Sequence, residues 1–149
     1  MSIKRDKSLG YVINHLSRLM TQTLGDELKS SGVTPGQFPV LMCLWEQDGL
    51  TQRELYERVN IEQATMSNTL ARMERDSLVK RLPDPADRRA SRVHLTSYAK
   101  KLEPTLTNAA KAANKKALGA LKKKDKKALM ETMETLIDNL EAKADSAAP

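Results

Sequence analysis

Two short apolar-alternating runs, residues 78–82 (Leu-Val-Lys-Arg-Leu) and 91–95 (Ser-Arg-Val-His-Leu), flank a turn-rich loop. That pattern predicts a β-hairpin with a long tip. Pro83 and Pro85 stiffen the loop, and Asp84 and Asp87 suit turn positions. Arg88 and Arg89 follow, which puts two cations at the end of a narrow projection.

What precedes the hairpin is helical. Leu9, Val12, Ile13, Leu16, Leu19, Met20, Leu24 and Leu28 recur at spacings of three and four, one apolar stripe on a helix over about 8–30. Thr34-Pro35-Gly36-Gln37 reads as the start of a second helix, with Thr34 as N-cap, proline at the first helical position and Gln37 three residues on. Phe38, Leu41, Met42, Leu44 and Trp45 make that helix largely apolar. Thr51-Gln52-Arg53-Glu54 is a capping box opening a short helix over about 52–59. A turn at 60–62 leads to a fourth helix over about 63–76, with Met66, Leu70 and Met73 facing inward. After the hairpin, Thr96 caps a long helix over about 97–121, with a bend expected at Pro104. Asp125 caps a last helix over about 126–144, carrying Leu129, Met133, Leu136, Ile137 and Leu140. The fold class is mainly α with a small β-hairpin: a helix pair, then a hairpin with a basic tip, which is the layout of a winged helix-turn-helix.

Aromatics make up only 3% of the 149 residues, so the core rests on aliphatic side chains and Met. The net charge of +6 fits a nucleic-acid binder. Yet residues 100–127 alone hold ten basic and two acidic groups, so the surplus lies after the hairpin and global charge is weak support. The lysine run 122–127 reads as an exposed helix junction whose long-range attraction speeds association at low salt. Cys43 is the single cysteine, and it lies between Met42 and Leu44. An inert, buried thiol and a reducing compartment are expected, and with no apolar run near 18 residues and no apolar leader the chain is expected in the cytoplasm, not in a membrane. His15 and His94 stand far apart with no metal-ligand spacing, and no nucleophile–base or paired-carboxylate arrangement is identifiable. Neither a cofactor nor an enzyme activity is expected.

Two local patterns carry a DNA-reading function. Thr65, Asn68, Thr69 and Arg72 form the outward stripe of the fourth helix. Short polar groups with one arginine can donate and accept at base edges in the major groove, and Ser67 beside them is expected on phosphate. At the hairpin tip, Arg89 is expected in the minor groove and Arg88 on phosphate, with Asp87 orienting the Arg89 guanidinium through a bidentate pair. The rival class is a winged-helix protein-interaction adaptor that does not read DNA.

These residues together resemble the multiple-antibiotic-resistance regulator family, MarR. The resemblance rests on Leu50-Thr51-Gln52-Arg53-Glu54-Leu55, Gln63-Ala64-Thr65-Met66-Ser67, Leu70-x-x-Met73-Glu74, Leu78-Val79-x-Arg81, Pro83-Asp84-Pro85-Ala86-Asp87-Arg88-Arg89 and Val93-x-Leu95-Thr96. It implies a homodimer in which residues 1–33 and 97–149 supply the dimerisation helices and 34–96 the winged helix-turn-helix. Two-fold symmetry then implies a roughly palindromic double-stranded operator. The family relation implies a repressor released by a small aromatic or lipophilic acid in a cleft between the dimer helices and the winged unit. His15, Arg18, Phe38, Met42 and Trp45 are the residues there best suited to hold such an acid: flat apolar walls, with a cation for the carboxylate. Two departures stand out. Ser97-Tyr98-Ala99 occupies the place where the family often has glycine, and no cysteine lies near the start of the first helix, which argues against peroxide sensing there.

Overall fold

The computed structural model describes residues 2–147, which form two compact units divided between Ala113 and Asn114. In the first unit a 3₁₀ turn at Arg5–Lys7 precedes α1, Leu9–Leu28, and a second at Lys29–Ser31 ends at Gly32. Only the C-terminal end of the α1 stripe joins the core: Leu28 is fully buried and Leu24 packs against it. Leu9, Val12, Ile13, Leu16, Leu19 and Met20 remain exposed, Leu9 at 62%.

Helix α2 spans Phe38–Glu46 and begins three residues later than the sequence suggests, with Gln37, not Thr34, at the N-cap position. The expected reciprocal bonds do form: the Thr34 amide donates to Gln37 Oε1 (3.1 Å) and the Gln37 amide to Thr34 Oγ1 (3.3 Å). They close a tight turn, because the Gln37 amide also reaches the Thr34 carbonyl three residues back. Helical bonding starts from the Phe38 amide. Gln37 is itself buried and its amide donates to Asp76 Oδ2 at 3.0 Å, which ties the start of α2 to a distant helix end.

A two-residue strand, β1 (Leu50–Thr51), follows; the sequence reading missed it because two residues carry no periodicity. Helix α3, Gln52–Val59, is capped as expected, with Thr51 Oγ1 accepting from the Glu54 amide at 3.2 Å. It ends at Asn60 in the left-handed region (φ 59°), which asparagine tolerates. Helix α4 is Gln63–Arg75, and the hairpin strands are β2, Val79–Pro83, and β3, Ser91–Leu95. The antiparallel sheet has the order β1-β3-β2, with Arg92 opposite both Thr51 and Leu82. Gly49, just before β1, has φ 74°, and a Cβ there would lie 2.9 Å from the His94 ring. The left-handed conformation favours glycine, and any larger residue would also have to displace the His94 ring. Leu41, Leu44, Leu50, Leu55, Met66, Leu70, Met73 and Val93 pack as one core beneath α2, α3, α4 and the sheet.

Helix α5 runs from Ser97 to Leu118 and continues through Pro104. It stops short of 121, followed by Gly119 with φ 50°. In the second unit α6 spans Lys123–Ala147. Asp125 is not its N-cap: the Asp125 and Lys126 amides both donate to the Lys122 carbonyl, which places the carboxylate inside the first turn, where it complements the helix dipole. On α6, Leu129, Met130, Met133, Ile137 and Leu140 are exposed. No helix among the described residues is long and apolar enough to cross a membrane.

Candidate nucleic-acid interface

Burial of Met66, Leu70 and Met73 pins one face of α4 to the core, and this decides what the other face presents. Thr65, Ser67, Asn68 and Arg72 are exposed there, with Thr69 half-buried beside them. Thr69 Oγ1 donates to the Thr65 carbonyl at 2.8 Å. Its hydroxyl proton is therefore committed to the helix, and what remains for a partner is a lone pair and a methyl group.

The hairpin tip is held by its own backbone. The Asp84 amide donates to the Ala90 carbonyl (3.0 Å), the Ala90 amide to the Asp87 carbonyl (3.1 Å), and the Ala86 amide to Asp84 Oδ1 (2.9 Å). Asp87 Oδ1 accepts from the Arg89 backbone amide at 2.9 Å, not from its guanidinium. The expected bidentate pair is thus corrected: Asp87 folds the turn, which suits an Asx geometry two residues long, and leaves the Arg89 side chain free.

The arginines of the winged unit divide into two sets. Arg53 pairs with Glu57, Arg75 with Asp76, Arg81 with Glu74 and Arg92 with Asp84, while Arg58 donates to Gln47 Oε1. Arg81 also donates to Gln52 Oε1 at 3.0 Å, which joins β2, α4 and α3. Neighbouring carboxylates stabilise the charged forms of Arg53 and Arg75 further, chiefly through hydrogen bonds to Glu57 and Asp76. The side chains of Arg72, Arg88 and Arg89 have no ion pair or hydrogen bond among the described residues. Those three are the arginines that the sequence placed on the reading helix and the wing tip. Among the arginines of residues 34–96, the paired ones bind neighbouring side chains, and the unpaired ones stand on α4 and the hairpin tip; the exposed Lys80 on β2 is also without a partner among the described residues.

The sequence-predicted ligand residues separate. Phe38 is core, meeting Trp45 edge-on with ring centroids 6.0 Å apart. Trp45 Nε1 donates to the Ala99 carbonyl at 3.2 Å, which fixes the indole. Met42 and Trp45 do line a shallow cleft of about 210 Å³, together with Glu46, Glu103 and Thr107. His15 and Arg18 are exposed on α1 and do not line it. Burial pushes the nearby Cys43 thiol up, Glu46 adds to this and Arg58 opposes it, which fits an unreactive thiol.

The sequence model of the MarR family matches residues 33–91, from just before α2 to the start of β3. YwoH of Bacillus subtilis, described as an uncharacterized HTH-type transcriptional regulator, is 31% identical over 96 residues, 64% of this chain and 69% of YwoH. The chain belongs to the MarR family. Its likeness to YsmB, an HTH-type transcriptional regulator of B. subtilis, is 34% over 83 residues, and spans 56% of this chain and little more than half (57%) of that relative. The likeness of fold extends further than these alignments. The structure of BpsR from Bordetella bronchiseptica superposes with a TM-score of 0.85 over 93% of this chain and 99% of that one, at 22% identity, a likeness of fold. The chain carries the family's winged helix-turn-helix, the DNA-binding unit of a transcriptional regulator.

Proposed function

We propose that this protein is a sequence-specific double-stranded DNA-binding repressor, acting as a homodimer on a roughly palindromic operator and released by a small aromatic ligand. The observation that carries the reading is the pairing pattern of the arginines: of those in the winged unit, only Arg72, Arg88 and Arg89 lack a protein partner among the described residues. Thr65, Asn68, Thr69 and Arg72 meet base edges in the major groove, with Ser67 and Arg88 on phosphate and Arg89 in the minor groove. Asp87 contributes by shaping the turn that carries Arg89. The exposed apolar faces of α1 and α6 support dimerisation, since apolar surface of that extent is ordinarily covered.

For the effector, Met42 and Trp45 offer a soft wall and a flat one, and a cleft of about 210 Å³ suits a single-ring molecule. The BpsR structure concerns regulation of that protein's DNA binding by 6-hydroxynicotinic acid. Here Glu46 and Glu103 line the cleft and oppose an acid, so an aromatic acid is held only if a second copy brings His15 or Arg18 to it.

The test is titration of the chain's own upstream DNA at several salt concentrations, with footprinting. A reader of DNA loses affinity steeply as salt rises and protects two symmetric half-sites. Absence of binding at low salt would overturn the DNA-reading proposal.

A further inference from the structure

Arg92, like Arg81, is a wing arginine turned toward the protein, and it is the one bonded to the tip. Its guanidinium spans two elements: Nε lies 3.1 Å from Asp84 Oδ2, and Nη1 donates to the Gly49 carbonyl at 2.9 Å. Asp84 is nearly buried and is the hub of the tip. Its amide, its carbonyl and its Oδ1 bond to Ala90, Asp87 and Ala86 in turn. Asp87 then accepts from the Arg89 amide. One continuous run of bonds therefore leads from Gly49, two residues before the Thr51 cap of α3, through Arg92 and Asp84 to the backbone that carries Arg88 and Arg89.

We propose that Arg92, acting through Asp84, is a positioning residue that sets where the wing tip stands relative to the recognition helix, without itself touching DNA. The physical reason is geometric. A tip that crosses from one groove to the next must be held close to its working position, and the tip's own backbone bonds fix its shape but do not tie it to the rest of the winged unit. The charge-assisted, two-armed contact supplies the missing constraint. Without Arg92, the Asp84 carboxylate loses its cation in a nearly buried site, and the tip moves to rehydrate it.

This inference rests on the DNA-reading function proposed above, so its test has one arm without DNA. In the free protein, Arg92→Met should speed amide hydrogen exchange at Ala86 and Ala90 while leaving the amides of α4 unchanged. Unchanged exchange at the tip overturns the proposal whether or not the protein binds DNA. With operator, Arg92→Met should lower affinity about tenfold and remove flank protection, with the major-groove protection retained. Adding Arg89→Ala to Arg92→Met should then cost little more, because the arginine it removes is already misplaced. Fully additive losses overturn the proposal. Arg92→Lys keeps the charge but not the two-armed geometry, so it should resemble Arg92→Met. Wild-type affinity in Arg92→Lys would mean that a charge at 92 acts on DNA directly. Should Arg92→Met fail to fold, the same cycle run with Arg92→Lys decides the matter. Failure of the wild type to bind any DNA refutes the function and leaves the exchange result standing.

Discussion

Arg72 and Arg75 lie on the same helix three residues apart, and one is free where the other is paired. Arg75 Nε sits 3.0 Å from Asp76 Oδ1, and Asp76 is also held by Gln37. Arg72 has no such partner among the described residues. Replacing each in turn separates position from charge, since Arg72→Ala and Arg75→Ala remove the same formal charge. A specific base contact contributes about 1–3 kcal/mol, so Arg72→Ala should weaken binding roughly five- to 150-fold per half-site. Its thermal melt should not move, because nothing in the fold depends on that guanidinium. Arg75→Ala should show the converse: operator affinity close to wild type and a small loss of stability. Fluorescence anisotropy on a single half-site gives the affinities, and selection from random DNA shows whether Arg72→Ala erases preference at one base position. Equal losses from the two variants, or an unchanged motif in folded Arg72→Ala, would refute the assignment of Arg72 to the reading face and leave only a general electrostatic effect.

Leu16→Glu places a charge in the middle of the exposed apolar face of α1, and it should convert the dimer to a monomeric or aggregated species by light scattering; an intact dimer with unchanged operator affinity excludes α1 from the interface. Asp76 is held below the usual carboxylate range, first by its hydrogen bond from Arg75 and then by that from Gln37. Its stabilising contribution is accordingly complete above the unfolded carboxylate range, near pH 4, and is lost as pH falls through the lower folded value. Asp76→Asn should therefore flatten the acid limb of a urea-midpoint profile, and an unchanged limb means the carboxylate adds no stability.

Much of this fold was legible because its helices announce themselves by period and cap. The Thr51 box and the inward triplet Met66, Leu70 and Met73 sit where spacing placed them. The hairpin itself was legible from the two runs flanking the turn-rich loop, whereas its register, Val79 opposite Leu95 through Pro83 opposite Ser91, was not. Other features were not legible either, each for a physical reason. Strand β1 is too short for a pattern and exists because β3 offers it an edge. The start of α2 slipped because Thr34 and Gln37 can exchange the same two hydrogen bonds in a turn as in a helix. In the candidate site, Asp87 and Arg89 are adjacent enough for a side-chain pair or a backbone one, and only the folded turn decides. Arg92 and Asp84 carry no motif linking them; strand pairing across the hairpin brings them together. The meeting of Glu46 and Glu103 in one cleft beside Trp45 depends on where α5 passes α2, which spacing within either helix does not encode.

The exposed apolar face of α1 has a genetic consequence. In the proposed dimer, the surface that recruits a second copy is separate in the chain from Arg72, Asn68 and Arg89. An allele defective only in reading therefore keeps its full capacity to recruit, and when expressed equally beside the normal allele it draws about half of the normal subunits into mixed pairs with one blind half, leaving about a quarter of all pairs intact. Such alleles should be dominant over the wild type. Alleles that damage the α1 face should be recessive, because their products never enter a pair.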